Sequence, residues 1–218
     1  MNNEFNRYYY RETVQDSGVG DEKVIRQRSG SGVYAHVRVQ IHAIKRGEGM
    51  VFAWNAGMSI PARFIPAVSE GILDAMNAGE LAGLEVTDVH ASVENGSYHE
   101  EDSTAEAFRE AAEKAAREAI HQAQPTILEA LSLVTITLPE NFIGAAVAMV
   151  SANRGQIKTM TSDTASRTLV AKLPSHKVSD LIVELLRISD GAAKITSRPA
   201  GFDTTPEPPE TAEQWVAR

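Results

Sequence analysis

Six histidines, at positions 36, 42, 90, 99, 121 and 176, have the widest chemical reach of any side chains in this 218-residue chain. No two stand at the i, i+4 spacing by which one helix face offers two imidazoles to zinc. His36 and His42 share a strand face but lie too far apart to share an ion. The chain has no cysteine, which excludes thiolate metal sites, iron–sulfur clusters, disulfides and thiol nucleophiles. No GxxxxGK[ST] phosphate loop occurs, so nucleotide hydrolysis by these residues alone is not expected. Gly30-Ser-Gly32 superficially resembles a dinucleotide fingerprint, yet its third glycine position is Ala35 and the turn leads into a strand rather than a helix. The run Glu100, Glu101, Asp102 supplies carboxylates just before a helix, where complementing the helix dipole is the simpler role. The expectation is therefore no catalytic residue, no metal and no cofactor in this chain.

One loop does offer binding chemistry. Gly96-Ser97-Tyr98-His99-Glu-Glu-Asp102 places a tyrosine and a histidine between glycine and hydroxyl groups. Such rings can stack on a base, and the imidazole can hydrogen-bond a 2′-hydroxyl or phosphate. An exposed histidine that caps the following helix is the plainer alternative. A second feature is charge. From Lys23 to Arg46 there are six bases and no acid, whereas Glu94 to Glu118 holds eight acids and three bases. The net charge of -8 thus conceals a basic segment, in which Arg26 and Arg28 flank the turn Gly30 to Gly32.

These residues need elements to hold them. Tyr34 to Ile44 alternates strictly, with Val37, Val39, Ile41 and Ala43 on one face and His36, Arg38, Gln40 and His42 on the other, which predicts a half-buried antiparallel strand. A short strand over Glu22 to Gln27 would complete a hairpin around RSGSG, and Met50 to Trp54 follows a second turn. Ile65, Val68, Ile72, Leu73 and Met76 recur at helical spacing after Pro61 and before Gly79. Leu84 to Asn95 has strand composition, Ser103 to Glu106 has the spacing of a capping box, and the alanine-rich run to Gln122 predicts a helix. Beyond a boundary expected at Pro125 to Glu129 the rhythm becomes strand 131–138, helix to about 153, strands 156–161 and 166–172, helix 174–189 and strand 193–198. That order is the split β-α-β, ferredoxin-like pattern. The segment from Thr204 on, with Pro206, Pro208 and Pro209, reads as a tail.

Hydrophobic content of 43% with 23% charged residues fits one large or two small globular domains. No apolar run approaches membrane-spanning length, and MNNEFNRYYYRET has neither a basic n-region nor an apolar h-region. A cytoplasmic location without membrane contact is the expectation.

GSYHEEDST (96–104), running into the alanine-rich helix with Phe108, resembles the tip loop of domain IV of translation elongation factor G. IPARFIPAVSEGILDAMNAGELAGLEVTDV (60–89) resembles the long helix and following strand of that domain, and YRETV (10–14) and VIRQ (24–27) resemble its opening segments. LPENFIGAAVAMVSANRGQI (138–157), AKLPSHKVSDLIVELLRISDGAA (171–193) and GFDTTP (201–206) resemble domain V. The resemblance runs through essentially the whole chain in order.

It implies an α+β protein of two domains: residues 1–125 as a ribosomal-protein-like βαβ module with a left-handed crossover, against the usual right-handed rule, and residues 129–203 as a ferredoxin-like domain, followed by a tail over 204–218. It implies a ribosome-binding part of a translation factor whose tip reaches the small-subunit decoding centre during translocation, with His99 against the tRNA–mRNA duplex. The expected RNA-contacting set is Gly96, Ser97, Tyr98 and His99 together with Arg26, Arg28, Gly30 and Gly32. Domain V would face the factor-binding region of the large subunit, the chain would act as a monomer, and GTP and Mg would belong to a GTPase domain with no counterpart in these residues.

One departure stands out. The family's first tip loop carries an arginine and a glutamine before the tyrosine, where this chain has Ser29-Gly30-Ser31-Gly32-Val33, so Arg26 and Arg28 are left to supply phosphate-directed charge. That departure keeps an adaptor, ribosome-protection or regulatory role open. An enzyme on a shared fold lacks the glycine loop leading into a helix that it would need.

Overall fold

The computed structural model describes residues 7–28, 31–163 and 166–206. Gly30 and the tail beyond Pro206, with Trp215, lie outside these residues, and Arg28 is described by its backbone alone. Two compact units divide the chain, one built from residues 11–128 and one from residues 129–205 with 8–10.

The first unit contains β1 (Tyr10–Val14), β2 (Ser17–Arg28), β3 (Ser31–Ala43), β4 (Met50–Trp54) and β5 (Val89–Ser97), with helices α1 (Ile65–Ala78) and α2 (Ala105–Gln122). Four strands form a sheet in the order β2-β3-β5-β4. β2 and β5 run antiparallel to β3, whereas β4 and β5 are parallel neighbours joined through α1. The alternation in β3 does what its sequence predicts: Val37, Val39 and Ile41 are fully buried beneath the helices, and the polar residues between them face the other way.

The helices approach unusually closely because small residues meet on three elements. α2 buries Ala107, Ala111, Ala112, Ala115, Ala116 and Ala119 along one face. A Cβ added to Gly18 or Gly20 of β2 would lie 2.0 Å from the Ala119 carbonyl oxygen or 1.8 Å from that of Ala115. Gly71 of α1 is pressed in the same way on the Arg109 carbonyl, at 2.1 Å. Backbone therefore touches backbone, and the stacked rings of Phe64 and Phe108, with centroids 4.5 Å apart, fill the wider end.

The ends of α1 follow from its sequence. A 3₁₀ turn at Ala62–Phe64 feeds it, Pro66 sits in its first turn, and Gly79 closes it at φ 63°. Glu12 of β1 then secures the loop beyond. Its fully buried carboxylate accepts hydrogen bonds from the backbone N–H groups of Glu80 (2.7 Å), Leu81 (3.0 Å), Ala82 (2.9 Å) and Leu84 (3.2 Å).

The second unit carries β6 (Pro125–Pro139), α3 (Ile143–Ala152), β7 (Gln156–Ser162), β8 (Ser166–Pro174), α4 (Val178–Ile188) and β9 (Lys194–Thr204). β6 lies between β8 and β9, with β7 at the far edge beyond β8, which is the split β-α-β arrangement. Val134, Ile136, Leu138, Leu169, Ala171 and Leu173 form its core with Ala146, Val150, Leu181 and Leu185 of the helices. Each helix enters by a proline and a 3₁₀ turn, Pro139 before Glu140–Phe142 and Pro174 before Ser175–Lys177. Past α3, Arg154 adopts φ 60° and forks onto Glu129 of β6, Nη1 to Oε1 at 2.9 Å and Nη2 to Oε2 at 2.7 Å.

Several expectations are corrected. β2 begins at Ser17 and not at Glu22, and Gly18 and Gly20 in the added stretch are the residues admitting α2. Leu84 to Asp88 is not strand: Asp88 turns to φ 58° and β5 starts after it. The division between units falls after Leu128, within the span where a boundary was expected, but inside β6, which is continuous from Pro125. β9 runs to Thr204, past the strand end expected at Arg198 and up to the first residue of the expected tail. The N-cap of α2 is Thr104, whose hydroxyl accepts from the Ala107 N–H at 3.2 Å, leaving Ser103 for another task. Among the described residues no helix is long and apolar enough to cross a membrane.

Candidate nucleic-acid interface

Antiparallel pairing brings the start of β3 against the end of β5, with His36 opposite Ser97 and Val37 opposite Gly96. The β2–β3 turn and the loop from Tyr98 to Thr104 consequently emerge at one end of the sheet. Two glycines make that meeting close. A Cβ on Gly32 would lie 2.6 Å from the Asp102 carboxylate, and one on Gly96 would lie 2.4 Å from both the His36 carbonyl oxygen and Ile60 Cδ1.

Ser103 stitches the two segments together. Its hydroxyl donates to the Tyr34 carbonyl at 2.7 Å and accepts from the His99 N–H at 2.9 Å. Its own N–H donates to the His99 carbonyl at 3.1 Å, and the Tyr34 N–H donates to the Asp102 carbonyl at 2.9 Å. With its backbone held on both sides, His99 lays its ring on that of Tyr34, centroids 4.5 Å apart and planes 33° from parallel. The His99 side chain is nevertheless 62% exposed, and Asp102 Oδ2 stands 3.7 Å from its Nδ1. Tyr98 is also exposed.

Beneath the stack runs a chain of polar groups on the open face of the sheet. The Tyr34 hydroxyl is 2.7 Å from Ser97 Oγ, which is 3.1 Å from His36 Nδ1. His36 Nε2 is 2.6 Å from Asp21 Oδ1, and Arg38 donates to the other Asp21 oxygen at 3.3 Å. Acid, imidazole and hydroxyl stand in the order of a nucleophile relay. Here the serine is engaged by a fourth group, Tyr34, so the relay ends on a ring and not on an open nucleophile. The imidazole hydrogen bond, with His36 and Arg38 beside it, holds the Asp21 carboxyl below its ordinary value of 3.8.

A carboxylate with a depressed folded-state pKa adds stability that is present above its unfolded value and lost as pH falls through the folded one. The expected result is that wild type exceeds Asp21→Asn in stability at neutral pH, and that the gap closes as pH drops below about 4. Urea midpoints of the two proteins across a pH series check it, and a gap that does not change with pH would contradict the pairing.

The charges at this end are mostly spoken for. Arg26 lies on the helix side, where Nη2 reaches both carboxylate oxygens of Glu110 at 2.5 and 2.6 Å. Arg38 is shared with Asp21, and the loop after Tyr98 carries Glu100, Glu101 and Asp102. An end with three acids beside its histidine is poorly suited to phosphate. What it offers instead is aromatic surface.

Of the residues singled out by sequence, Gly32, Gly96, Ser97, Tyr98 and His99 are brought together at this end, and Arg26 is turned toward α2. Tyr34, His36, Asp21 and Ser103 were missed. The signal for the first two was available, since Tyr34 and His36 sit two apart on the polar face of an alternating strand. On the same face His42 stacks on His90 of β5, centroids 4.8 Å apart, a pairing that spacing along the chain could not reveal.

A crystal structure of a protein from Thermus thermophilus matches with a TM-score of 0.82 at 31% identity, covering 90% of this chain and 30% of that one. Residues 8–124 match the family described as Elongation factor G, domain IV, and residues 126–212 match Elongation factor G C-terminus. The chain belongs to the elongation factor G family. The curated elongation factor G of Thermotoga maritima is 36% identical over 201 residues, and that of Chlamydia caviae 34% identical over 199 residues. In both cases the match takes in 91% of this chain and 29% of the relative.

Proposed function

We propose that this chain is the ribosome-binding part of an elongation-factor-G-type translation factor, and that the end carrying Tyr34, Tyr98 and His99 reaches the decoding centre and touches the tRNA–mRNA duplex during translocation. The second unit would face the factor-binding region of the large subunit, and the chain would act as a monomer without hydrolysing nucleotide itself. The observation that carries the reading is the presentation of His99: its backbone is tied on both sides, one ring face is covered by Tyr34, and most of the side chain stays open to a ligand.

Because Arg26 is neutralised by Glu110 and the loop is acidic, the tip contributes more through rings than through phosphate contacts. That separates two variants in one experiment, co-sedimentation with 70S ribosomes across a salt series. His99→Ala should weaken binding by about 1–3 kcal/mol, the worth of one stacked base, and leave the salt slope unchanged. Arg26→Ala should weaken it less, and should lower the slope by about 1 only if that guanidinium leaves Glu110 for a phosphate. Wild type that fails to sediment at the lowest salt would sink the proposal and favour an adaptor role.

A further inference from the structure

We propose that Tyr34 and His99 work as a single two-ring platform for a nucleobase, and that Asp21, His36 and Ser97 are positioning residues that fix the plane of that platform. The inference rests on the functional reading above and names the ligand chemistry of the same end of the molecule. It starts from proton directions. An ionised Asp21 can only accept, so a neutral His36 carries its proton on Nε2. Nδ1 then accepts from Ser97, and the serine oxygen is left to accept from the Tyr34 hydroxyl. Every donor has one acceptor, and the sequence of bonds has one sense.

The consequence is rotational. The Tyr34 backbone is held by Asp102 and Ser103, and its hydroxyl is held by Ser97, so the phenol is fixed at both ends. His99 rests on that fixed ring with its side chain 62% exposed, which leaves room for a ligand on the side away from Tyr34. A third planar group laid on the free face continues the stack. A neutral base suits the site better than a phosphate, because Asp102 Oδ2 stands 3.7 Å from His99 Nδ1 and Glu100 and Glu101 follow His99 in the same loop. Stacking reads no base identity, so the platform would take any base that has a free face, whether unpaired or at the end of a duplex.

The test combines binding with a spectroscopic signature. Ribosome co-sedimentation at one salt concentration is measured for His99→Ala, Tyr34→Leu, the double variant, Tyr34→Phe and Ser97→Ala. The His99 ring protons, shifted upfield by the Tyr34 ring current, are followed by NMR in the free proteins. We expect His99→Ala and Tyr34→Leu each to weaken binding about tenfold, and the double variant to be no weaker than either alone, as for one functional unit. Tyr34→Phe should keep the ring-current shift while losing about threefold in binding, and Ser97→Ala should match it in binding with a broadened His99 signal.

Tyr34→Leu binding like wild type beside an impaired His99→Ala would overturn the platform and spare the functional reading. His99→Ala binding like wild type, or wild type not binding at all, would end both. Should Tyr34→Leu fail to fold, Tyr34→Phe and Ser97→Ala decide alone: wild-type binding with an unchanged His99 signal in both overturns the inference.

Discussion

Replacing Glu12 with leucine is expected to cost the first unit about 3–5 kcal/mol, because four backbone N–H groups lose their acceptor inside the protein at once. The carboxylate is fully buried, and its two oxygens serve Glu80 and Leu81 on one side and Ala82 and Leu84 on the other. Gly79 approaches so closely that an added Cβ would sit 2.6 Å from Glu12 Oε1. Glu12→Gln should be intermediate, since its amide oxygen can still accept while its NH₂ faces N–H groups. Hydrogen exchange is the direct check: the amides of residues 80, 81, 82 and 84 should lose protection in both variants, more in Glu12→Leu. Unchanged protection there would show that the four bonds do not hold the loop.

Arg154→Ala is expected to have a comparable effect on the second unit. Glu129 is 4% exposed and held by both guanidinium nitrogens, so truncating the arginine leaves an uncompensated buried charge, a loss of about 3–5 kcal/mol. Two controls isolate the cause. Arg154→Gly relieves the positive φ yet should be destabilised almost as much, whereas Glu129→Leu with Arg154→Met should recover most of the loss. His176 supplies a local reporter. Burial first, and the Lys177 charge second, hold its pKa below the ordinary 6.5, with Glu129 pulling upward and Arg154 downward. Removing the arginine should therefore raise the His176 titration midpoint, readable by NMR. A midpoint that falls or stays fixed would mean that Glu129 had been protonated instead.

These two carboxylates mark where sequence reading stopped short. YRETV gave no strand signal because a charged residue sits at its centre, and the partners that make Glu12 tolerable lie about 70 residues away in the loop after α1. The strand expected from Glu22 left out Ser17 to Asp21, the stretch that Gly18 and Gly20 punctuate. Only the alanine face of α2, about a hundred positions further along, shows that the glycines mark a contact and not a bend. By contrast β3, α1 and α2 were legible, since strict alternation and helical recurrence are local properties of the chain. The second unit was legible for the same reason, down to its order of elements. His99 was singled out through its loop and the family resemblance. The ring beneath it and the relay behind that ring were not, because Asp21, His36 and Ser97 meet only through strand pairing.

The contact of β2 with α2 carries a mechanical consequence. Where side chains normally form a compressible layer between helix and sheet, here carbonyl groups rest against glycine Cα atoms, so helix and sheet are coupled with little give. Force applied at the tip would pass into the body of this unit as through a strut, with small deflection. On the reading proposed above such stiffness would keep the far end of the unit in place, and a single methyl group at Gly20 is enough to take it away.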